Sequence, residues 1–376
     1  MPQNKKHHFV PKFYLRNFSG DGKSIGIYNI SSQRAISRGN LRNQCYRDYF
    51  YGKDLTVEHA LAGMEGAAAE LINNAILKNE AVPRPFSAEH IILSHFIVLQ
   101  AARTSYEADA MAESTDKLFK TIYRGQFDDP DQYEIGFEDP VLMSLQVASR
   151  MVPAVYDLKI KLLRNNSGVG LITSDNPIVR HNQHFEGNEH AGHTGLGQAG
   201  LQIFLPLSPK YLILLYDAQI YKIGEKNCRV VTISSSDDVA ALNELQWLNA
   251  HENIYFREGE EALVHAQALR VVRRRRDEKT SVKEHRLADR EPDPEPETTR
   301  GLVHEFRPGL DARLKVGFMK IRRRPKHQRH DFRPAPERDS DYSDLVEEFG
   351  RLLAAKKVAP EDFFAFAAKH RPATPR

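Results

Sequence analysis

The stretch that most constrains this chain is Gly168-Val169-Gly170-Leu171-Ile172-Thr173-Ser174-Asp175-Asn176-Pro177-Ile178-Val179. Apolar and β-branched residues at Val169, Leu171 and Ile172 predict a short buried strand. It runs straight into a polar turn at Ser174, Asp175 and Asn176, and Pro177 stops it. A carboxylate, a carboxamide and a hydroxyl therefore gather at the end of a rigid element, where the backbone is fixed while side chains stay accessible. Two uses fit these residues: an Asx-turn in which Asp175 and Asn176 bond only their own backbone, or a functional site.

Periodicity sorts the rest of the chain into helical and extended runs. Pro11 suits the first turn of a short helix that presents Phe13, Tyr14 and Phe18 to a core. Ser24–Ile30 alternates as a strand, and helical spacing runs from Thr56 to Asn79, from Ser87 to about Ala112, and from about Asp139 to Arg164. Residues 201–209 and 211–216 read as two strands joined by a Ser-Pro turn, Cys228–Ile233 as another strand, and Ser236 to about Ala250 as a helix carrying Asn243, Gln246 and Asn249 beside its leucines. Helices and antiparallel strands are thus segregated, and the expected class is α+β: a helical layer on a mainly antiparallel sheet, with a basic, partly disordered C-terminal extension. The expected divisions are 5–260 for the main domain, 261–338 for a basic linker, and 339–376 for a short helical segment.

With 376 residues, 41% of them hydrophobic, a sizeable core is available. Lys and Arg number 53 against 50 Asp and Glu, so the net charge of +3 is less informative than its clustering. Arg270–Arg276 and Ile321–His327 are basic blocks of the kind that contact phosphate; a solvated tail is the plainer reading. Cys45 and Cys228 form no disulfide framework or metal spacing. The N-terminal residues lack the apolar core of a signal peptide, and no window reaches the roughly 18 apolar residues that span a bilayer. A soluble cytoplasmic protein is expected.

Several residues carry candidate chemistry. His7 and His8 precede a helix N-terminus, whose positive potential favours neutral imidazole. Gln100 and Arg103 share a helix face, where Arg is a good anion clamp or a structural ion-pair partner. The loop from Arg38 to Tyr51 mixes Arg42 and Arg47 with aromatic rings, a combination suited to phosphate and base contacts or simply to packing. The histidines at 181, 184, 190 and 193 repeat no defensible zinc signature, and their glycine-rich surroundings suggest a mobile loop.

Taken in order, His7-His8-Phe9-Val10-Pro11-Lys12-Phe13-Tyr14-Leu15, Phe96–Thr104, Ile172–Pro177, Leu205–Pro209 and Leu242-Asn243 resemble the bacterial DUF4238 family over roughly residues 5 to 260. The resemblance implies a shared architecture and a common pocket, and it suggests a role in phage defence. If the motifs converge, Asp175, Asn176, His7 and His8 would be catalytic. Gln100, Arg103, Ser174, Tyr14, Arg42 and Arg47 would bind substrate, while Arg273, Arg274, Arg275, Arg322 and Arg323 would hold the backbone of DNA, the expected partner. A carboxylate with a neutral imidazole and amides, and no cofactor or metal, suits hydrolysis of an N-glycosidic bond through an oxocarbenium-like transition state. The turn at Asp175-Asn176-Pro177 is also similar to the water-activating motif of uracil-DNA glycosylases. The expected activity is excision of bases from invading DNA. Two alternatives stand beside it: a metal-dependent nuclease using His7, His8, Asp175 and His181, and a non-enzymatic nucleic-acid sensor.

Overall fold

The computed structural model describes residues 5–123, 126, 129, 132–186, 193–275, 279–286, 301–306, 309–322 and 336–370. The chain opens with β1 (Lys6–His8), α1 (Lys12–Arg16), β2 (Ser24–Asn29), β3 (Arg34–Asn40) and β4 (Tyr46–Asp48). A helical block follows: α2 (Thr56–Glu70), α3 (Ala88–Ala102), α4 (Ser105–Ile122) and α5 (Pro140–Met151). Next come β5 (Lys159–Asn165), β6 (Thr173–Ser174), β7 (Val179–His181), β8 (Gln202–Ser208), β9 (Tyr211–Tyr216), β10 (Tyr221–Ile223) and β11 (Val230–Ile233). The last part holds α6 (Ser236–Asn249), β12 (Asn253–Phe256), α7 (Glu261–Val271), β13 (Ser281–Arg286), β14 (Gly301–Phe306), β15 (Met319–Ile321), α8 (Ser340–Ala354) and α9 (Phe363–His370).

The class is α+β, as expected. Five strands in the order β11-β5-β9-β8-β7 form the central sheet, and β3-β2-β12-β6 form a second. All pairings are antiparallel except β11 with β5. The hairpin foreseen at 201–216 is β8 and β9, with Leu205 opposite Ile213. Alternation along these strands divides the interior in two. Ile203, Leu205, Leu207, Ile213 and Leu215 face one core with the helical layer, whereas Phe204, Leu212, Leu214 and Leu163 face another with α6 and α7. The central sheet is therefore covered on both sides, which explains why β9 is apolar at every position.

Two helical expectations are corrected. The run from Ser87 to Ala112 is broken at Arg103, where Thr104 accepts the Glu107 N–H at 3.3 Å and starts α4 as a new helix. The run from Asp139 to Arg164 ends at Met151: Pro153 sits in a tight turn over Val152–Val155, and residues 159–165 are strand β5. The predicted strand at 168–172 also shrinks, since only Thr173 and Ser174 join a ladder, beside β12. Beyond residue 260, β15 pairs with β10 and α8 packs on α5, so much of the expected extension is built onto the body.

Candidate functional site

The polar turn is placed by α6. Asn243, Gln246 and Asn249 recur every three residues and so share one helix face. Asn243 accepts the Ile172 N–H at 3.0 Å and donates to the Gly170 carbonyl at 2.9 Å. Gln246 accepts from the Ser174 hydroxyl at 3.0 Å and donates to the Pro177 carbonyl at 2.8 Å. Asn249 donates to the carbonyls of Asn176 and Ile178 at 2.8 and 3.1 Å, and Asn176 Nδ2 donates back to the Asn249 carbonyl at 3.0 Å. Three side-chain amides thus supply the bonds that a neighbouring strand would otherwise give.

Asp175 sits at the end of this ladder. It accepts N–H bonds from His251, Glu252 and Asn253 at 2.8, 2.7 and 3.0 Å, and only 4% of its surface is exposed. Burial pushes its carboxyl above the usual carboxylate range, opposed by the three N–H groups and nearby His251. Arg275 bonds the carbonyls of Ala250 and His251 on the same turn. The α6–β12 turn is clamped by a guanidinium on its carbonyls and a carboxylate on its amides. With both oxygens so engaged, Asp175 caps the α6–β12 turn, and Asn176 and Ser174 belong to the same hydrogen-bonded scaffold.

The other motifs meet in a second cluster. Gln100 bridges the Phe9 carbonyl and Arg103 Nε, each at 2.9 Å, and Arg103 Nη1 reaches Glu65 at 2.7 Å. His7 Nδ1 accepts the Tyr51 N–H at 3.1 Å, so its ring proton sits on Nε2, and the two rings stack 5.7 Å apart. His7 Nε2, Tyr51 Oη and Arg103 Nη2 are buried without a hydrogen-bond partner among the described residues. His8 lies apart, its Nε2 3.3 Å from the Arg42 carbonyl; burial first, then the Lys12 charge, lowers its pKa, where a helix end was the expected cause.

The remaining candidates separate. Tyr14 is buried and donates to the Pro206 carbonyl at 2.6 Å, with Thr173 Oγ1 at 2.7 Å, so its hydroxyl is spent inside the core. Arg42 is exposed, while Arg47 lies over the Phe50 ring at 5.6 Å and 3.9 Å from Asp109. Arg274 pairs with Glu244 at 2.7 Å and, with Arg275, ties the basic block to the fold; Arg273 and Arg322 are exposed. Arg323 and His190 lie outside the described residues. His181 is bound to Glu186 at 2.7 Å. Among the described residues no three His, Cys, Asp or Glu side chains stand together as a metal-binding group, and His7, His8, Asp175 and His181 do not form one.

A cavity of about 470 Å³ opens between α3, α4, α5 and a wall to which Ile178, Arg180, Leu196 and Ile203 contribute. Ile97, Val98, Met111, Val147, Met151 and Ile203 make most of it aliphatic. Glu107, Arg180 and His193 bring the charge and hydrogen-bonding capacity. A side chamber of about 30 Å³ shares Glu107 and Arg180 and adds Asn176, Asn249 and Tyr106. Glu107 and His193 are buried, and neither ring nitrogen of His193 has a partner among the described residues. Burial lowers the His193 pKa, which favours the neutral imidazole. Sequence reasoning missed Glu107, although Thr104-x-x-Glu107 is the spacing of a capping box and marks both the helix break and the carboxylate.

The family model for a protein of unknown function, DUF4238, matches residues 6–260. The chain belongs to the DUF4238 family. Comparison with curated proteins and with solved structures brings no match in either. The matched region of this DUF4238 chain contains the α6 ladder, the His7–Arg103 cluster and the cavity groups Glu107, Arg180 and His193. Among the described residues, no helix is long and apolar enough to cross a membrane.

Proposed function

We propose that this chain is a hydrolase that excises bases from DNA, acting from the cavity and not from Asp175. One observation carries the reading: a buried carboxylate, a guanidinium and an imidazole without a hydrogen-bond partner among the described residues line one mainly aliphatic cavity of a size suited to a small-molecule unit. Aliphatic side chains on facing walls suit a flipped base, which needs apolar contact on both faces. Glu107 takes a proton from water as its oxygen bonds C1′, and its negative charge opposes the positive charge developing on the sugar. His193, neutral in its buried place, gives a hydrogen bond to the departing base nitrogen as the C1′–N bond breaks. Exposed Arg42, Arg273 and Arg322 are the candidates for phosphate contacts. Invading DNA with modified bases is the substrate to try first.

The test is incubation of the purified protein with unmodified and phage-modified DNA, with and without EDTA, reading abasic sites and strand breaks separately. Abasic sites that form in EDTA and fall by about 100-fold in Glu107→Gln support the reading. Breaks that require metal ions favour the nuclease, and neither product on any DNA leaves the sensor.

A further inference from the structure

The wall of the cavity is held from outside the family region. Leu196 and Gln198 line one side, and Met151 leads from the other side into the turn at Val152–Val155. Arg338, 9% exposed, lies between these walls. Its guanidinium forks onto Asp157, with Nε at 2.6 Å and Nη2 at 2.8 Å from the two carboxylate oxygens. Nη2 also reaches the carbonyls of Ala154 at 2.7 Å and Leu196 at 3.0 Å, and Nη1 reaches that of Gln198 at 3.1 Å. The backbone adds two bonds, from Arg338 N–H to the Gly197 carbonyl at 2.8 Å and from Ala199 N–H to the Pro336 carbonyl at 2.9 Å. Four residues on, the Tyr342 hydroxyl donates to the Pro153 carbonyl at 2.7 Å. Gly309 and Leu310 line the side chamber, so a second part of the C-terminal region also reaches the site.

We propose that Arg338 is a positioning residue for the cavity: it fastens the 195–199 wall to the 154–157 rim, so that the C-terminal region fixes the shape of the ligand space. The proposal rests on the cavity being the working site, as argued above. A planar, charged fork with five donors can serve one carboxylate and three carbonyls at once. Lysine keeps the charge but has no fork, so it cannot hold both walls.

The experiment uses the full chain and its Arg338→Lys and Asp157→Asn variants. Methionine-methyl NMR and amide hydrogen exchange report on the walls, and base release reports on activity. The expected result is exchange about tenfold or more faster across 195–199, with moved Met151 and Met111 resonances and an unmoved Met64, which lies on α2 and packs against the core. Base release would lose efficiency through KM more than through kcat, because Arg338 touches no reacting atom. Folded variants with wild-type exchange at 195–199 overturn the proposal. So does acceleration spread evenly through α3 and β8, which would mark general destabilisation. A wild-type protein that releases no base removes the proposed activity, and the exchange and methyl results still decide whether Arg338 holds the wall.

Discussion

The turn at Asp175 and the cavity a few residues away use polar groups in opposite ways. Around Asp175 the carboxylate, the amides of Asn176, Gln246, Asn249 and Asn243, and the Ser174 hydroxyl all have partners within the fold. In the cavity the buried His193 ring has none among the described residues. Partnered polar groups hold a backbone in place, while an unpartnered buried one waits for a ligand or costs stability. The same residue types that suggest chemistry in a sequence are therefore sorted by what they touch.

The largest effect expected from this contrast is at Asp175. Asp175→Ala leaves three N–H groups without their acceptor and should cost about 3 kcal/mol in denaturant unfolding. Asp175→Asn should cost somewhat less, because it places a donor against donors but keeps one oxygen. A variant of wild-type stability that has lost base release would break the comparison and restore Asp175 as a catalytic group.

His90 gives a middle effect, read through pH. Its Nδ1 accepts the Phe86 N–H at 2.9 Å, and burial, with a smaller contribution from Lys159, lowers its pKa from 6.5 to about 4. The unfolded chain then binds more protons, so this contribution to stability is complete above pH 6.5 and falls away as pH drops towards 4. The loss should be about 3 kcal/mol over that window before solvent screening, and less after it. His90→Gln should flatten that part of the stability profile, and an unchanged profile would show that the ring is not held neutral.

The smallest effect is at His193. His193→Leu removes two nitrogens without partners among the described residues, at a backbone φ of +43° that histidine adopts somewhat more readily than leucine. Stability should change by less than about 1 kcal/mol or rise, whereas ligand binding or base release should suffer. A loss as large as that for Asp175→Ala would mean that the imidazole is structural as well.

Much of the fold was legible because the signals were local. The β8–β9 hairpin follows from two apolar runs and a Ser-Pro turn, and α6 from acidic residues before spaced leucines. The candidate site was less so. Asn243, Gln246 and Asn249 were visible as polar positions on α6, but their task depends on a segment about 70 residues earlier. Arg275 looked like part of a phosphate-binding block because its carbonyl partners carry no sequence signal. Arg338 was hidden for the same reason. The Thr104-x-x-Glu107 spacing, in contrast, was local and would have ended α3 in the right place.

The α6 ladder also sets which changes of length the chain can absorb. One residue inserted between Asn243 and Gln246 would turn the rest of the helix by about 100° and carry Gln246 and Asn249 off the face that meets residues 170–178. Composition would scarcely alter, yet the segment would lose most of its bonds and Asp175 its register with the turn it caps. Loops elsewhere can lengthen at small cost, whereas α6 works as a ruler whose spacing cannot drift.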